Sequence, residues 1–367
     1  MTIGILGIGK LGLCFGLNLE RAGYTVVGVD ISESYVKQLN DKSFCSYEPQ
    51  VNEWLQHARH LTVHTQIDQV LIEPISLTFV MVATPSLPDG GYDHSQIERV
   101  VEQLIVFGHT VQRVDLVIGC TVMPGYCDTL QERLAPFNYQ VSYNPEFIAQ
   151  GSIIHDQLYP DQILIGEADA AIGDALEAIY RNMCKSDFTV CRMNRISAEI
   201  AKLATNCFLT TKISFANSVG DLATTAGADA EKILEAIGAD SRIGSKYLKY
   251  GFGFGGPCFP RDNRALNLFA RNSGYNLLIS EATDNVNRQH LQFQYEQYMK
   301  DYKPDEVIVF DEVVYKPGTV ILEEAQPLEL AKRLVKSGRK VLIKEKVAII
   351  EELTKQYGSL FQYELKS

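Results

Sequence analysis

The most constraining stretch is a glycine pattern near the start, Gly7-Ile8-Gly9-Lys10-Leu11-Gly12. It stands between a short apolar run, Thr2–Leu6, and a helical pattern that continues to Ala22. Gly23 supplies a stop, and Tyr24–Val29 reads as the next strand, ending at Asp30. G-x-G-x-x-G alone is a weak signal. Its weight comes from the strand before it, the helix it opens and an acidic residue about twenty positions on. In that setting Gly7 makes the tight turn, Gly9 admits a pyrophosphate and Gly12 lets helix and sheet pack closely. Asp30 can accept both hydrogen bonds of an adenosine ribose diol and would repel a 2′-phosphate, so the pattern predicts NAD rather than NADP. The alternative for the same residues is a glycine-rich turn without a ligand.

Further strands are predicted at residues 61–64, 77–83, 114–120, 139–143 and 162–165, with helical patterns between them, notably 95–107 and 125–134. Strand–helix alternation of this kind predicts a doubly wound α/β fold, with ligands beyond the carboxyl ends of the strands. Thr84-Pro85 follows one strand, Cys120-Thr121-Val122-Met123-Pro124-Gly125 another, and Asn144-Pro145-Glu146-Phe147 a third. Taken singly, Thr84 and Thr121 are more often helix caps than ligands, whereas Glu146 beside a proline at a strand end is harder to dismiss as a solvated loop carboxylate. A helix at 169–183 and a short strand at 188–191 close this first domain.

From Arg195 to about Ala226 the pattern stays helical, without an internal proline. A helix of that length is about three times the average and suits a bridge between domains or a subunit interface. It carries Lys202 and Asn206, spaced i, i+4 on one face, which also fit a solvated lysine and amide. Helices follow at 230–237, 260–272 and 280–300. The segment 240–249 is basic within an acidic protein, either a solvated loop or an anion site. After Lys303-Pro304 a last α/β unit is predicted, with strands at 307–310, 340–344 and near 360–363, and helices at 327–337 and 347–357.

Between those helices lies Gly251-Phe252-Gly253-Phe254-Gly255-Gly256-Pro257-Cys258-Phe259-Pro260-Arg261-Asp262. Its glycines permit turns closed to other residues and a close approach to a ligand. Proline favours the first turn of a helix, which places Cys258 at a helix N-terminus, where orphan N–H groups favour a thiolate. Asp262 lies one turn on. An inert buried thiol is the alternative.

The net charge of −11 argues against a general nucleic-acid or anionic-membrane binder, and leaves room for a small anionic ligand in a local basic pocket. The eight cysteines form no C-x-x-C pair and no metal cluster, so reduced thiols and no metal are expected. Without a leader pattern or an apolar run of about 18 residues, a cytoplasmic protein is expected.

Taken together these motifs resemble the UDP-glucose/GDP-mannose dehydrogenase family, from Met1 to about Lys344, and most closely its UDP-glucose branch. GFGFGGPCFPRD resembles the family's nucleophile loop, and AEIAKLATNCFLTTKISFANS its central helix. The resemblance implies an N-terminal Rossmann domain for NAD (1–193), a central long-helix dimerisation domain (194–302) and a C-terminal Rossmann-like domain for the nucleotide sugar (303–367). It implies a homodimer and a two-step, four-electron oxidation of a sugar C6 alcohol. Cys258 would be the nucleophile, Lys202 and Asn206 would stabilise alkoxide and oxyanion, Asp262 with Thr121 would hold a water, and Glu146 would be the general base. Lys10, Leu11, Thr84, Pro85 and Arg261 would join Gly7, Gly9, Gly12, Asp30 and Thr121 around the cofactor. Phe147, Gln150, Arg242 from a second subunit, Tyr247, Gly251, Gly255 and Lys316 would join the catalytic residues around the substrate.

Four positions depart from the family pattern. Gln150 replaces a glutamate, Arg261 a lysine, Glu323 an arginine near the cofactor, and Lys10 an aromatic or aliphatic residue. Lys10 is expected to compensate for the charge lost at Glu323. The last domain is read as shortened. The alternatives are the same chemistry on a UDP-N-acetylhexosamine or GDP-mannose, and a non-catalytic NAD-binding scaffold.

Overall fold

A computed structural model describes residues 1–72, 75 and 77–366. The chain divides into two compact units, Met1–Lys202 and Leu203–Ser367. In the first, strands β1 (Thr2–Leu6), β2 (Thr25–Val29), β3 (Leu61–His64), β4 (Leu77–Val80), β5 (Val114–Ile118), β6 (Tyr139–Tyr143), β7 (Gln162–Gly166) and β8 (Thr189–Met193) form one sheet. Its order is β3-β2-β1-β4-β5-β6-β7-β8. The helices are α1 (Lys10–Arg21), α2 (Glu33–Asn40), α3 (Val51–His57), α4 (Asp68–Ile72), α5 (Ser95–Phe107), α6 (Tyr126–Leu134), α7 (Ile153–Leu158), α8 (Ala170–Met183) and the start of α9 (Arg195–Ala226).

Strand alternation explains the two cores. Ile3 and Ile5 of β1 join a buried cluster with Leu13, Phe15, Leu17 and Trp54, whereas Leu6 joins Val80, Ile118 and Tyr139 in another. The doubly wound expectation holds through β6. There the structure departs from it, because β7 runs antiparallel to β6, paired at Tyr143 and Gly166, and β8 is parallel to β7. The connection from Tyr143 to Gln162 holds the six-residue α7. Helix α7 packs on α1. Two predicted strands are also shorter than expected: β4 ends at Val80, opposite Leu6 at the end of its neighbour β1, and β5 ends at Ile118, opposite Val80. The short helices α2, α3 and α7 were not anticipated; Ser32 caps α2 through the Tyr35 N–H.

The second unit contains the rest of α9, then α10 (Ala230–Gly238), α11 (Phe259–Asn272), α12 (Leu278–Asp301), α13 (Gln326–Lys336) and α14 (Val347–Tyr357). A parallel sheet β11-β10-β9 is built from β9 (Val307–Phe310), β10 (Lys340–Glu345) and β11 (Gln362–Leu365). Ile308, Phe310, Ile343, Leu330, Leu334 and Leu353 are its core. The last strand lies two residues beyond its predicted place. Helix α9 has the bounds expected from its uninterrupted pattern.

Candidate active site

In the first unit the glycine loop is built as a cradle. Gly7 has φ +94°, in the left-handed region, and its N–H and that of Ile8 donate to the Val29 carbonyl at 2.9 and 3.1 Å. A Cβ at Gly12 would lie 2.3 Å from the Gly7 carbonyl oxygen, so the helix can approach the turn only as glycine. A Cβ at Gly9 would meet nothing within 4 Å. Open space therefore lies at the N-terminus of α1, where unpaired N–H groups favour an anion such as a pyrophosphate. Tyr35 braces the loop by donating to the Ile8 carbonyl at 3.0 Å. Asp30 follows β2 and accepts the Ser32 N–H at 3.0 Å, which turns its carboxylate about the strand end. These residues fit a dinucleotide with a free ribose diol.

Lys10 does not stand alone in this loop. Its Nζ donates to Gln150 Oε1 at 3.0 Å, so two of the positions that depart from the family pattern meet each other. The Gly151 N–H donates to buried Glu48 at 2.8 Å, anchoring the segment that carries Gln150.

Beyond β4 and β5, the Thr84 hydroxyl donates to the Thr121 carbonyl at 2.8 Å. Neither threonine caps a helix: α5 starts after His94 and α6 after Gly125. Pro85 is exposed, and its carbonyl accepts the Asp93 N–H at 2.7 Å. His94 Nε2 accepts the Met123 N–H at 3.3 Å, and its ring stacks on Tyr126 with centroids 3.8 Å apart. Burial pushes this imidazole down to about 4, so it stays neutral and able to accept. Glu199 accepts the Gly125 and Cys127 N–H groups at 2.6 and 2.9 Å, fixing the start of α6 behind Thr121.

Glu146 follows β6. Burial pushes its carboxyl up to about 7, against the lowering effects of a hydrogen bond from Gln157 (3.3 Å) and the Lys202 charge. Gln157 is in turn held by Asn18 at 2.8 Å. Lys202 is buried; its Nζ donates to the Glu146 carbonyl at 2.7 Å and lies 4.3 Å from the centre of the Phe147 ring. The solvated reading of Lys202 is thereby excluded.

In the second unit Cys258 is the N-cap of α11, and its residue is exposed. The buried thiol of the alternative reading is excluded. The Asp262 N–H donates to the Cys258 carbonyl at 2.9 Å, the first turn of the helix. Asp262 is buried and accepts Asn206 Nδ2 at 2.6 Å, and Asn206 is buried as well. Arg261 lies in the same first turn and is half-buried.

The loop before Cys258 corrects one expectation. A Cβ at Gly253 would fall 2.2 Å from Asn287 Oδ1, at Gly255 2.2 Å from the Glu324 carbonyl oxygen, and at Gly256 2.3 Å from the Tyr315 ring. Only at Gly251 does a Cβ meet open space. Three of these glycines are thus required by the protein's own packing rather than by a ligand. Gly256 N–H donates to the Glu323 carbonyl at 2.9 Å, so Glu323 contributes its backbone here.

Arg242 has a side chain 87% exposed and pairs with Asp240 at 2.7 Å. Tyr247 is in the left-handed region (φ 63°), its ring 6.1 Å from that of Phe259. Lys316 is exposed on a turn closed by Thr319. Sequence reasoning missed Asn18, Glu48, His94, Gln157 and Glu199, which position other groups through contacts far apart in the chain and share no spacing signature. Among the described residues no group of three or more His, Cys, Asp or Glu side chains could hold a metal.

Comparison with known proteins adds the following. The UDP-glucose/GDP-mannose dehydrogenase family, NAD binding domain, matches residues 1–184, and that family's central domain matches 196–289. A UDP-glucose 6-dehydrogenase of Rickettsia bellii is 30% identical over 348 residues, 92% of this chain and 79% of that protein. One from Bacillus subtilis is 30% identical over 360 residues, 95% of this chain and 80% of that protein. Among solved structures, a UDP-glucose dehydrogenase from Pyrobaculum islandicum is 29% identical, with a TM-score of 0.89 over 99% of this chain and 85% of that one. A GDP-mannose dehydrogenase from Pseudomonas aeruginosa is 26% identical, with a TM-score of 0.62 over 99% and 88%.

Proposed function

We infer the reaction from one premise: the chain belongs to the UDP-glucose/GDP-mannose dehydrogenase family. It is an NAD-dependent oxidoreductase acting on a nucleotide sugar. The substrate is UDP-glucose and the product UDP-glucuronate, because the relatives at 30% identity over most of the chain carry that activity in their names. The observation that carries the chemistry is the exposed Cys258 thiol at the N-cap of α11, with the buried Asp262–Asn206 pair one turn behind it.

NAD, when bound, would supply the hydride acceptor, one molecule for each of the two oxidations. Gly7, Gly9, Gly12 and the N-terminus of α1 hold its pyrophosphate, Asp30 its ribose, and Lys10, Leu11, Thr84, Pro85, Thr121 and Arg261 complete that site. The C6 alcohol releases its proton to water and a hydride to that acceptor, becoming an aldehyde, while Lys202 stabilises the developing alkoxide. The Cys258 thiolate adds to the aldehyde carbon, and Asn206 with Lys202 stabilises the resulting oxyanion. Loss of a second hydride converts this thiohemiacetal to a thioester. Glu146 then takes a proton from the water held by Asp262 and Thr121; hydroxide displaces sulfur, leaving a carboxylate and free thiol. Covalent capture keeps the aldehyde from escaping.

Phe147, Gln150, Tyr247, Gly251 and Lys316 surround the sugar nucleotide in this reading, which keeps the division at 1–193, 194–302 and 303–367. Two molecules of NADH released per UDP-glucose support it. Turnover only with GDP-mannose or a UDP-N-acetylhexosamine overturns the substrate, and NAD binding without turnover on any sugar overturns the chemistry.

The partner is a second copy of the chain. Phe208, Phe215 and Leu222 are 66, 51 and 68% exposed at seven-residue intervals along α9, a stripe suited to helix pairing. Arg242, exposed in its own chain, then serves the neighbouring subunit. Phe215→Glu is expected to shift the mass in light scattering from dimer to monomer and to remove turnover; a dimer that persists unchanged overturns this interface. The reading places the protein in the cytoplasm, where its nucleotide substrates are found; among the described residues no helix is long and apolar enough to cross a membrane.

A further inference from the structure

The glycine loop of the second unit is held at its entrance by side chains that the reaction does not use. His290 Nε2 of α12 lies 2.6 Å from the Gly251 carbonyl oxygen, and Gln294 Nε2 donates to the same oxygen at 3.2 Å. His290 is only 1% exposed, and its Nδ1 lies 2.9 Å from both carboxylate oxygens of Asp221 on α9. The Tyr250 hydroxyl donates to that carboxylate at 2.9 Å, and its ring stands edge-on to the imidazole with centroids 5.8 Å apart. A Cβ at residue 220 would fall 1.9 Å from the Tyr250 ring, so α9 admits the ring only because Gly220 stands there. Farther along, Asn217 accepts the Gly251 N–H at 3.1 Å, and Asn287 bonds both the N–H and the carbonyl of Phe254 at 3.0 and 2.9 Å.

A carbonyl oxygen can only accept, so Nε2 carries a proton; a carboxylate can only accept, so Nδ1 carries one too. The buried ring is then an imidazolium, and Asp221 is the opposite charge that makes its burial tolerable. We propose that His290, held as an imidazolium by Asp221, is a positioning residue that fixes the Gly251 carbonyl and with it the loop leading to Cys258. This deepens the reading above and rests on it, since the loop's position matters to catalysis only if Cys258 is the nucleophile. The groups facing the ring are Asp221 from α9, Tyr250 from the segment before the loop and Gln294 from its own helix. A neutral imidazole can donate to only one of its two acceptors and turns a lone pair on the other. Losing the proton therefore releases either the loop or the carboxylate.

Nitrogen NMR of the histidine-labelled full chain, with the signal assigned by its loss in H290Q, reads the charge directly. Both ring nitrogens are expected to be protonated at neutral pH; one bare nitrogen overturns the proposal. In kinetics, H290Q is expected to lower kcat/KM for UDP-glucose about tenfold, the worth of one charge-assisted hydrogen bond, with NAD affinity unchanged. Asp221→Asn, which removes the carboxylate facing Nδ1, is expected to leave that nitrogen bare in the NMR spectrum. An H290Q enzyme with unchanged kcat/KM, or an Asp221→Asn enzyme with both ring nitrogens still protonated, overturns the proposal. If H290Q melts too low to assay, the NMR spectrum and Asp221→Asn decide. Acid production by Cys258→Ala would instead sink the underlying reading; an inactive Cys258→Ala beside His290 variants of normal activity sinks only this one.

Discussion

Cys258→Ala is expected to abolish formation of the uronic acid, a loss of at least about a thousandfold in turnover, while NAD affinity stays within about twofold. The size follows from the role. Without sulfur no thiohemiacetal forms, and the second oxidation has no covalent substrate. The affinity follows from placement, since the glycine cradle and Asp30 belong to the first unit and Cys258 to the second. Packing should be little disturbed, because the residue is exposed. Product analysis by chromatography, beside a titration of NAD binding, checks both halves. Uronate production at the normal rate would remove Cys258 from the mechanism.

The second large effect falls on thioester hydrolysis. Glu146→Gln is expected to slow turnover by about a hundredfold to ten-thousandfold, the range of a general base. The covalent intermediate should then accumulate, visible as added mass on the intact protein. A base works when deprotonated, and burial pushes this carboxyl up to about 7. Turnover limited by hydrolysis should therefore rise with pH through about 7 and level off, and the variant should lose that rise. The same displacement has a stability consequence of defined sign. The folded carboxyl binds its proton more tightly than the ordinary value of 4.5, so folding favours the protonated form. That contribution is full below pH 4.5 and is lost as pH rises through about 7. Glu146→Gln, which carries no charge to bury, is thus expected to melt higher than the unaltered protein above pH 7 while being nearly inactive. A variant with normal turnover, or a rate insensitive to pH across this range, argues against Glu146 as the base.

Much of the first unit was legible because its signals are local. A turn that must be glycine, an apolar strand before it and an aspartate after the next strand lie within thirty residues. Helix α9 was legible for the same reason, as an uninterrupted pattern with no breaker. The reversal of β7 was not, because a 4–8-residue apolar run has the same pattern in either direction. Nor was the partnership of Lys10 with Gln150, two residues 140 positions apart that look like separate irregularities until their side chains meet.

The sequence by itself determined which groups are chemically able to act: a thiol before a helix-starting proline, a lysine and an asparagine one turn apart, a carboxylate after a strand. Residue type and short-range spacing carry that information, since they govern turns, caps and helix faces. Only the tertiary structure decided what state those groups are in. Burial, which depends on contacts from the whole unit, moved Glu146 toward neutrality and made Lys202 a buried cation against Phe147. Packing also reassigned the glycines before Cys258, from room for a ligand to room for Asn287, Glu324 and Tyr315. Charge state and free space depend on what surrounds a residue, and those surroundings exist only once distant segments have packed together.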